Sequence, residues 1–372
     1  MNASERSWAR ELEHRRSRLL EMMASKDCDA AIVFGSQGHT ENFRYLTNFV
    51  PVLGDMWAIA PRHEAMLCVL NFTWQLEEAR RLSAIEDWRG ELEAVPVVLE
   101  VLAAHAPARI AVVGFDRIPA VAVDAIRTRF PKAELVDLSA DVARHRRIKS
   151  DLELAYLREA GRVTDLALDV LYEEIEIGMT ERELAARLDY AMQRHGAECA
   201  FPSCVISGVD DPIPIRAPTD RRIASGDSVM VDLGAAVAGY NADASRTVVI
   251  GRPTREQEDA WAVVTNAYDA ALAAIRPGAP CTNVHRAAAD VITDAGFTLA
   301  HRIGHGIGLA TSFEWPSLDT EAAPLEAGMT FCVEPGVYRV GVGNMKLEDD
   351  VLVTDDSYEL LTNARRTLAP VR

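Results

Sequence analysis

Two stretches constrain this chain more than any others. They are VMVDLGAAVAGYNADASRTVVI, residues 229–250, and MTFCVEPGVYRVGVGNMKLEDDVLVT, residues 329–354. Each reads as two apolar, β-branched runs around a small-residue turn, the pattern of an antiparallel hairpin. Each also carries acids inside those runs, where an unpaired carboxylate is costly. If the first turn centres on Val237–Ala238, paired residue numbers sum to 475 and Asp232 lies opposite Asp243. If the second centres on Gly341, they sum to 682 and Glu334 lies opposite Glu348. Carboxylates opposed in this way repel, so something positive is expected between them. An exposed acidic pair is the ordinary alternative for either hairpin taken singly.

Residues 302–318, RIGHGIGLATSFEWPSL, set His305 among glycines. It is a metal ligand, a catalytic base or a histidine held in a glycine turn. Four carboxylates and one imidazole suffice for two divalent ions. Oxygen-rich donors with one nitrogen suit Mn²⁺, Co²⁺, Fe²⁺ or Zn²⁺. Such ions lower the pKa of bound water and polarise a carbonyl.

Around these motifs the chain divides in two. Short strands at 30–34, 56–60, 65–70 and 109–114 alternate with helical stretches near 73–82, 94–104 and 118–129, which predicts an α/β domain. Ser150, with Glu153 three residues on, reads as a capping box that starts a long helix over 151–175. The boundary is placed near 148, giving domains 1–148 and 149–372. The second alternates helices (180–195, 255–275, 282–295) with strands (203–207, 228–235, 244–250, 329–334, 346–354), an α+β pattern. No strong tandem repeat and no low-complexity linker is present.

Four ordered motifs, VDLGAAVAGYNADASRT, GHGIGL, VEPGVY and KLEDDVLVT, resemble the pita-bread metallohydrolases, the family of prolidase, aminopeptidase P, methionine aminopeptidase and creatinase. RYLTNF (44–49) and RRIKSDLELAYLREA (146–160) resemble the creatinase-type N-terminal domain that precedes the catalytic domain in part of that family. The resemblance implies Asp232, Asp243, His305, Glu334 and Glu348 as ligands of two divalent metal ions. It implies Glu334 as general base, with His301, four residues before the metal histidine, beside it as a second catalytic residue. It also implies a homodimer.

Prolidase and aminopeptidase P add two more histidines. Counting back 17 residues from Asp232 reaches Ile215, followed by Arg216; counting forward seven from His305 reaches Ser312. With one inserted residue the match is Phe313, which keeps Glu314 and Pro316 in register. Neither position holds histidine, and Lys346 replaces the usual Arg before the last ligand. Ile215, Arg216, Ser312 and Glu314 are therefore expected to face substrate, Arg216 as a clamp for a carboxylate. A small anionic or zwitterionic substrate of dipeptide size follows. The reaction expected is hydrolysis of a C–N bond, either Xaa-Pro dipeptidase-like or on a non-peptide amide. A metal-dependent lyase and a non-catalytic binding module are the alternatives. Asp55, Trp57 and Tyr240 are read chiefly as packing or supporting residues.

A net charge of −17 argues against nucleic-acid and anionic-membrane partners. No run of 18 apolar residues is present to span a membrane. The N-terminal segment is too charged for a secretory signal, and Glu5, Glu11, Glu13 and Glu21 argue against a transit peptide. Trp8, Leu12, Leu19 and Met22 fit an amphipathic helix there. Six scattered cysteines without a CxxC spacing fit buried thiols in a cytoplasmic protein.

Overall fold

The computed structural model describes residues 3–310 and 313–368. Its contacts separate into two compact units, one up to His145 and one from Arg146 onward. No helix among the described residues is long and apolar enough to cross a membrane. All six cysteines are free, and all but Cys199 are buried.

The first unit is α/β. Its six-stranded sheet runs from edge to edge as Asp87–Gly90, Leu67–Leu70, Met56–Pro61, Ala30–Gly35, Arg109–Val113 and Glu134–Asp137. Ala30–Gly35 pairs antiparallel with Met56–Pro61 and parallel with Arg109–Val113. Its buried run AAIVFG is the apolar stretch expected of a strand covered on both faces. Val98 and Leu102 of helix Ala94–Ala104 and Ile126 of helix Ala120–Arg129 pack against Ile32, Ile59 and Val112. Trp57 lies in this core, edge-on to Phe34. In helix Ala3–Ser25 the buried positions among residues 7–25 are Leu12, Arg15, Leu19 and Met23. Met23 thus takes the place expected of Met22, because helical spacing from Leu19 reaches four residues on. Arg15 is tolerated inside because Nη1 donates to the Tyr45 carbonyl at 3.0 Å and the guanidinium lies 4.3 Å from the Tyr45 ring centre.

The second unit repeats one pattern twice, a pair of helices followed by antiparallel strands. Helix Asp151–Glu174 starts at the Ser150–Glu153 capping box and packs with Glu181–Arg194 over the strands Cys204–Ser207, Ser228–Leu233 and Ala244–Val249. Helices Arg255–Ala274 and Cys281–Asp294 cover a five-stranded sheet that includes Thr330–Val333 and Asp349–Val353.

The two hairpins differ in how closely they follow their expected register. Thr330–Val333 pairs with Asp349–Val353, and Gly336–Arg339 with Gly343–Lys346, at the sum of 682 expected from a turn at Gly341. In the first hairpin Asp232 faces Ser245 rather than Asp243, and Val237 faces Tyr240. Its turn sits on Ala238 (φ +49°) and Gly239 (φ +80°). A two-residue hairpin turn with the twist of its strands needs positive φ at both central residues, which Gly239 accepts and β-branched Val237 resists. Asp243 therefore lies diagonal to Asp232, on the same face.

Candidate metal centre

Each expected ligand sits in or beside a strand of the second unit. Asp232 lies within Ser228–Leu233, Asp243 just ahead of Ala244–Val249, and Glu334 just past Thr330–Val333. Glu348 precedes Asp349–Val353 and exchanges backbone hydrogen bonds with Ser245, which ties the two hairpins together. His305 enters from strand His305–Gly306. At the neighbouring Gly304 a Cβ would stand 2.0 Å from the Cys332 carbonyl oxygen, so the close approach that delivers the imidazole requires glycine.

Asp232, His305, Glu334 and Glu348 are buried and Asp243 is nearly so, and their donor atoms cluster. Oxygens of Asp232, Asp243 and Glu348 lie within 4.8 Å of one another, as do donors of Asp243, His305 and Cys332. The His305 Nδ1–H donates to the Gly306 carbonyl at 2.9 Å, and Nε2 stands 3.5 Å from Asp243 Oδ2. That hydrogen bond selects the tautomer whose Nε2 lone pair is open to a cation. Asp350 accepts the Asp243 backbone N–H at 2.8 Å and so holds that ligand's backbone.

Lys346 supplies a positive charge inside the cluster. Its ammonium lies 2.7 Å from Asp232 Oδ2, 2.8 Å from Glu348 Oε2 and 3.0 Å from Glu334 Oε2. One ammonium against four buried carboxylates still leaves the site strongly negative. Burial, then Glu348 and Asp232, push the Asp243 carboxyl far above the ordinary range. Burial raises Glu348 to about 8. Burial pushes Glu334 up, but Lys346, His301 and His305 together outweigh it and hold the carboxyl low. Asp243 Oδ1 and both Glu348 oxygens are buried without a hydrogen bond; the ammonium near Glu348 Oε2 is not aligned for one. Carboxyl oxygens without a partner next to an open imidazole nitrogen fit a divalent cation.

His301 lies above this floor. Its Nδ1 bonds the Arg302 carbonyl at 2.7 Å, its Nε2 bonds Tyr338 Oη at 2.8 Å, and Nδ1 stands 3.7 Å from Glu334 Oε2. Burial lowers its pKa and favours the neutral ring. Both ring nitrogens are thus engaged inside the chain.

A cavity of about 730 Å³ opens onto Asp232, Asp243, His305, Glu334 and Lys346. Ile215 and Arg216 line it. Arg216, however, is not free to clamp a carboxylate. Its two terminal nitrogens each donate at 2.7 Å to the fully buried Glu181. Glu181 also accepts from Ser207 and Thr219. Burial pushes the Glu181 carboxyl up, but these bonds outweigh it and hold the group at about 2. Since an unperturbed Glu titrates near ~4.3, this contribution to stability is full above that pH and is lost as pH falls toward 2. Arg216→Ala is therefore expected to cost about 1–3 kcal/mol at pH 7 and distinctly less at pH 3. Urea denaturation at the two pH values checks this, and an equal loss at both contradicts it.

Glu314 requires a second correction. It does not line this cavity. It is buried and accepts from Arg146 Nε and Lys149 Nζ, both at 3.2 Å, and from the Leu309 and Ala310 backbone N–H groups. It thus fastens the loop after His305 and has no oxygen to spare for substrate. Ser312 lies outside the described residues. Phe313, the alternative at that position, places its ring 5.9 Å from the His305 ring and 4.5 Å from the Arg302 guanidinium.

Sequence reading missed three contributors. Arg302 lines the cavity, and no acid among the described residues lies within ion-pair distance of it. In the sequence Lys346 stands out only as a replacement for Arg before the last ligand. Arg246, fully buried behind Glu348, went unremarked. Tyr240 supports from a distance, its hydroxyl donating to Glu153 at 3.1 Å.

A creatinase-like α/β unit followed by paired helices over antiparallel sheets that gather acids and a histidine defines the pita-bread metallohydrolases. Residues 155–355 match the model of metallopeptidase family M24, and residues 15–148 match that of the creatinase/prolidase N-terminal domain. The chain belongs to metallopeptidase family M24. An Xaa-Pro dipeptidase of Pyrococcus horikoshii is 35% identical over 233 residues, and an uncharacterised peptidase of Staphylococcus aureus is 33% identical over 230. Each match spans 61% of this chain and 66% of the relative. The prolidase structure from Pyrococcus horikoshii superposes with a TM-score of 0.87 at 26% identity, over 95% of this chain and 99% of that one. An Xaa-Pro dipeptidase from Bacillus anthracis gives 0.86 at 25% identity, over 96% and 99%.

Proposed function

We propose that this chain is a metal-dependent hydrolase that cleaves a C–N bond in a dipeptide-sized substrate, with Xaa-Pro dipeptides the first candidates. One observation carries the proposal: the acidic cluster with His305 opens onto a single cavity of about 730 Å³, within the ~300–1,000 Å³ usual for small-molecule sites. The names of the Pyrococcus and Bacillus relatives point to the same substrate class.

In this proposal Asp232, Asp243, His305, Glu334 and Glu348 hold the divalent metal, of which Mn²⁺, Co²⁺, Zn²⁺ or Fe²⁺ suits the donors. When bound, the metal supplies a Lewis acid and lowers the pKa of a water. The set is large enough for two ions. Glu334, held low by Lys346 with His301 and His305, takes a proton from the attacking water. His301 steadies Glu334 from 3.7 Å. Phe201, Pro202, Pro214, Ile215 and Pro218 give the cavity apolar wall suited to a pyrrolidine ring. Arg302 offers a planar fork to the substrate carboxylate, the role first expected of Arg216. Ile215, and Ser312 or Phe313, stand at the positions where the resemblance expects the peptidases' histidines. That favours a second reading in which a small non-peptide amide is the better substrate.

The test incubates metal-loaded protein with Ala-Pro, Gly-Pro and a panel of small amides, with mass spectrometry of the products. Cleavage of the dipeptides at kcat/KM of about 10⁴ M⁻¹s⁻¹ or more supports the dipeptidase. Hydrolysis confined to the amides supports the second reading, and elimination products mean a lyase. Bound metal without turnover of any compound sinks the hydrolase. A homodimer is part of the proposal, and sedimentation equilibrium showing a monomer counts against it.

A further inference from the structure

Resting on the metal site proposed above, we infer that the Lys346 ammonium takes the place of one of the two ions this ligand set would otherwise hold, so that the chain retains a single divalent ion. Three carboxylates each turn one oxygen to that ammonium, at 2.7, 2.8 and 3.0 Å. An ammonium is a compact point charge that three oxygens can surround as they would a small cation. A guanidinium is a flat fork and cannot nest in the same way. An ion held about 2.0–2.2 Å from those oxygens would stand against the ammonium, like charge on like charge.

The ammonium is delivered from a fixed backbone. Strand Gly343–Lys346 pairs with Gly336–Arg339, and the Lys346 N–H and carbonyl both meet the Thr247 hydroxyl, at 3.0 and 3.1 Å. Thr247 is fully buried and the Lys346 side chain nearly so. Retreat into the cavity would mean leaving three carboxylates.

The uncommitted donors lie elsewhere in the cluster. Asp243 Oδ1 has no partner, and neither does Glu348 Oε1. His305 presents Nε2 beside Asp243, with Cys332 Sγ within reach of both. These donors mark where the one ion sits. Asp232 is then a partner of Lys346 before it is a metal ligand.

The experiment loads the full chain with excess Mn²⁺, removes unbound ion by gel filtration, and measures metal per chain with the electron paramagnetic resonance spectrum. Wild type is expected to retain one Mn²⁺ with the six-line signal of an isolated ion. Lys346→Met, which keeps the side chain's length and removes its charge, is expected to retain two, with a spectrum broadened by exchange coupling. Two coupled ions in wild type overturn the inference and leave the metal site standing. No retained ion in wild type overturns both. A well-folded Lys346→Met that still holds one ion shows that the lysine is not what limits the number. Where the variant does not fold, the wild-type count and spectrum decide alone.

Discussion

Asp243→Asn is expected to remove most of the metal affinity while leaving the metal-free chain as stable as wild type or more so. The carboxylate is buried beside Glu348 and Asp232, its Oδ1 lacks a partner, and burial with those neighbours opposes its ionised form. An amide of the same shape relieves that repulsion, so the metal-free melting temperature should not fall. With metal the sign reverses. Wild type gains RT ln(1 + [L]/Kd), about 4.1 kcal/mol at a thousandfold excess over Kd. Altering even an outer partner of a metal ligand costs about 10–100-fold in affinity, so replacing a ligand should cost at least that. Hydrolysis at limiting metal should fall by the same factor or more. Thermal melts with and without Mn²⁺, on both proteins, read the two effects separately. A variant whose melt rises with Mn²⁺ as much as wild type's removes Asp243 from the proposed set.

Local signals in the sequence translated well into structure. Ser150 and Glu153 form the capping box their spacing suggests. Gly341 takes a φ of +85°, and the 682 register follows from its turn. The first hairpin was placed differently because its turn was centred on Val237–Ala238, one residue short of the glycine that the turn uses. What stayed hidden was pairing between distant charges. Glu181 reads as an ordinary acid at a helix start, yet it fills the fork of Arg216, 35 positions away. Glu314 sits in a motif that suggests substrate, but its partners Arg146 and Lys149 lie 168 and 165 positions away. Lys346 meets Asp232 across 114 positions. Periodicity reports the face on which a side chain lies. Which charge it meets there is decided only when separate elements pack.

Arg246 shows the energetic weight of such a pairing, and Arg246→Met should be the most destabilising of the substitutions considered. The guanidinium is fully buried and every edge is used. Nε donates to the Arg365 carbonyl, Nη1 to the Ser245 and Glu348 carbonyls, and Nη2 to Asp349 Oδ1 and the Ala364 carbonyl. Methionine fills comparable space and satisfies none of these groups. Asp349, also fully buried, keeps the Tyr268 and Thr362 hydroxyls and the Arg366 guanidinium 3.1 Å away, but loses its closest partner. Breaking a buried ion pair from one side costs about 3–5 kcal/mol. At about 2–4 °C per kcal/mol for a domain of this size, the melting temperature should fall by roughly 6–20 °C. Metal affinity should weaken as well, since Arg246 holds the backbone of Glu348 at 2.6 Å. A second substitution separates lost packing from a stranded charge. Replacing both members of a buried pair with apolar residues is often close to neutral, so Arg246→Met with Asp349→Leu should recover part of the loss. A double variant less stable than Arg246→Met alone would mean that the carbonyls Arg246 gathers, rather than its charge on Asp349, hold this part of the fold together.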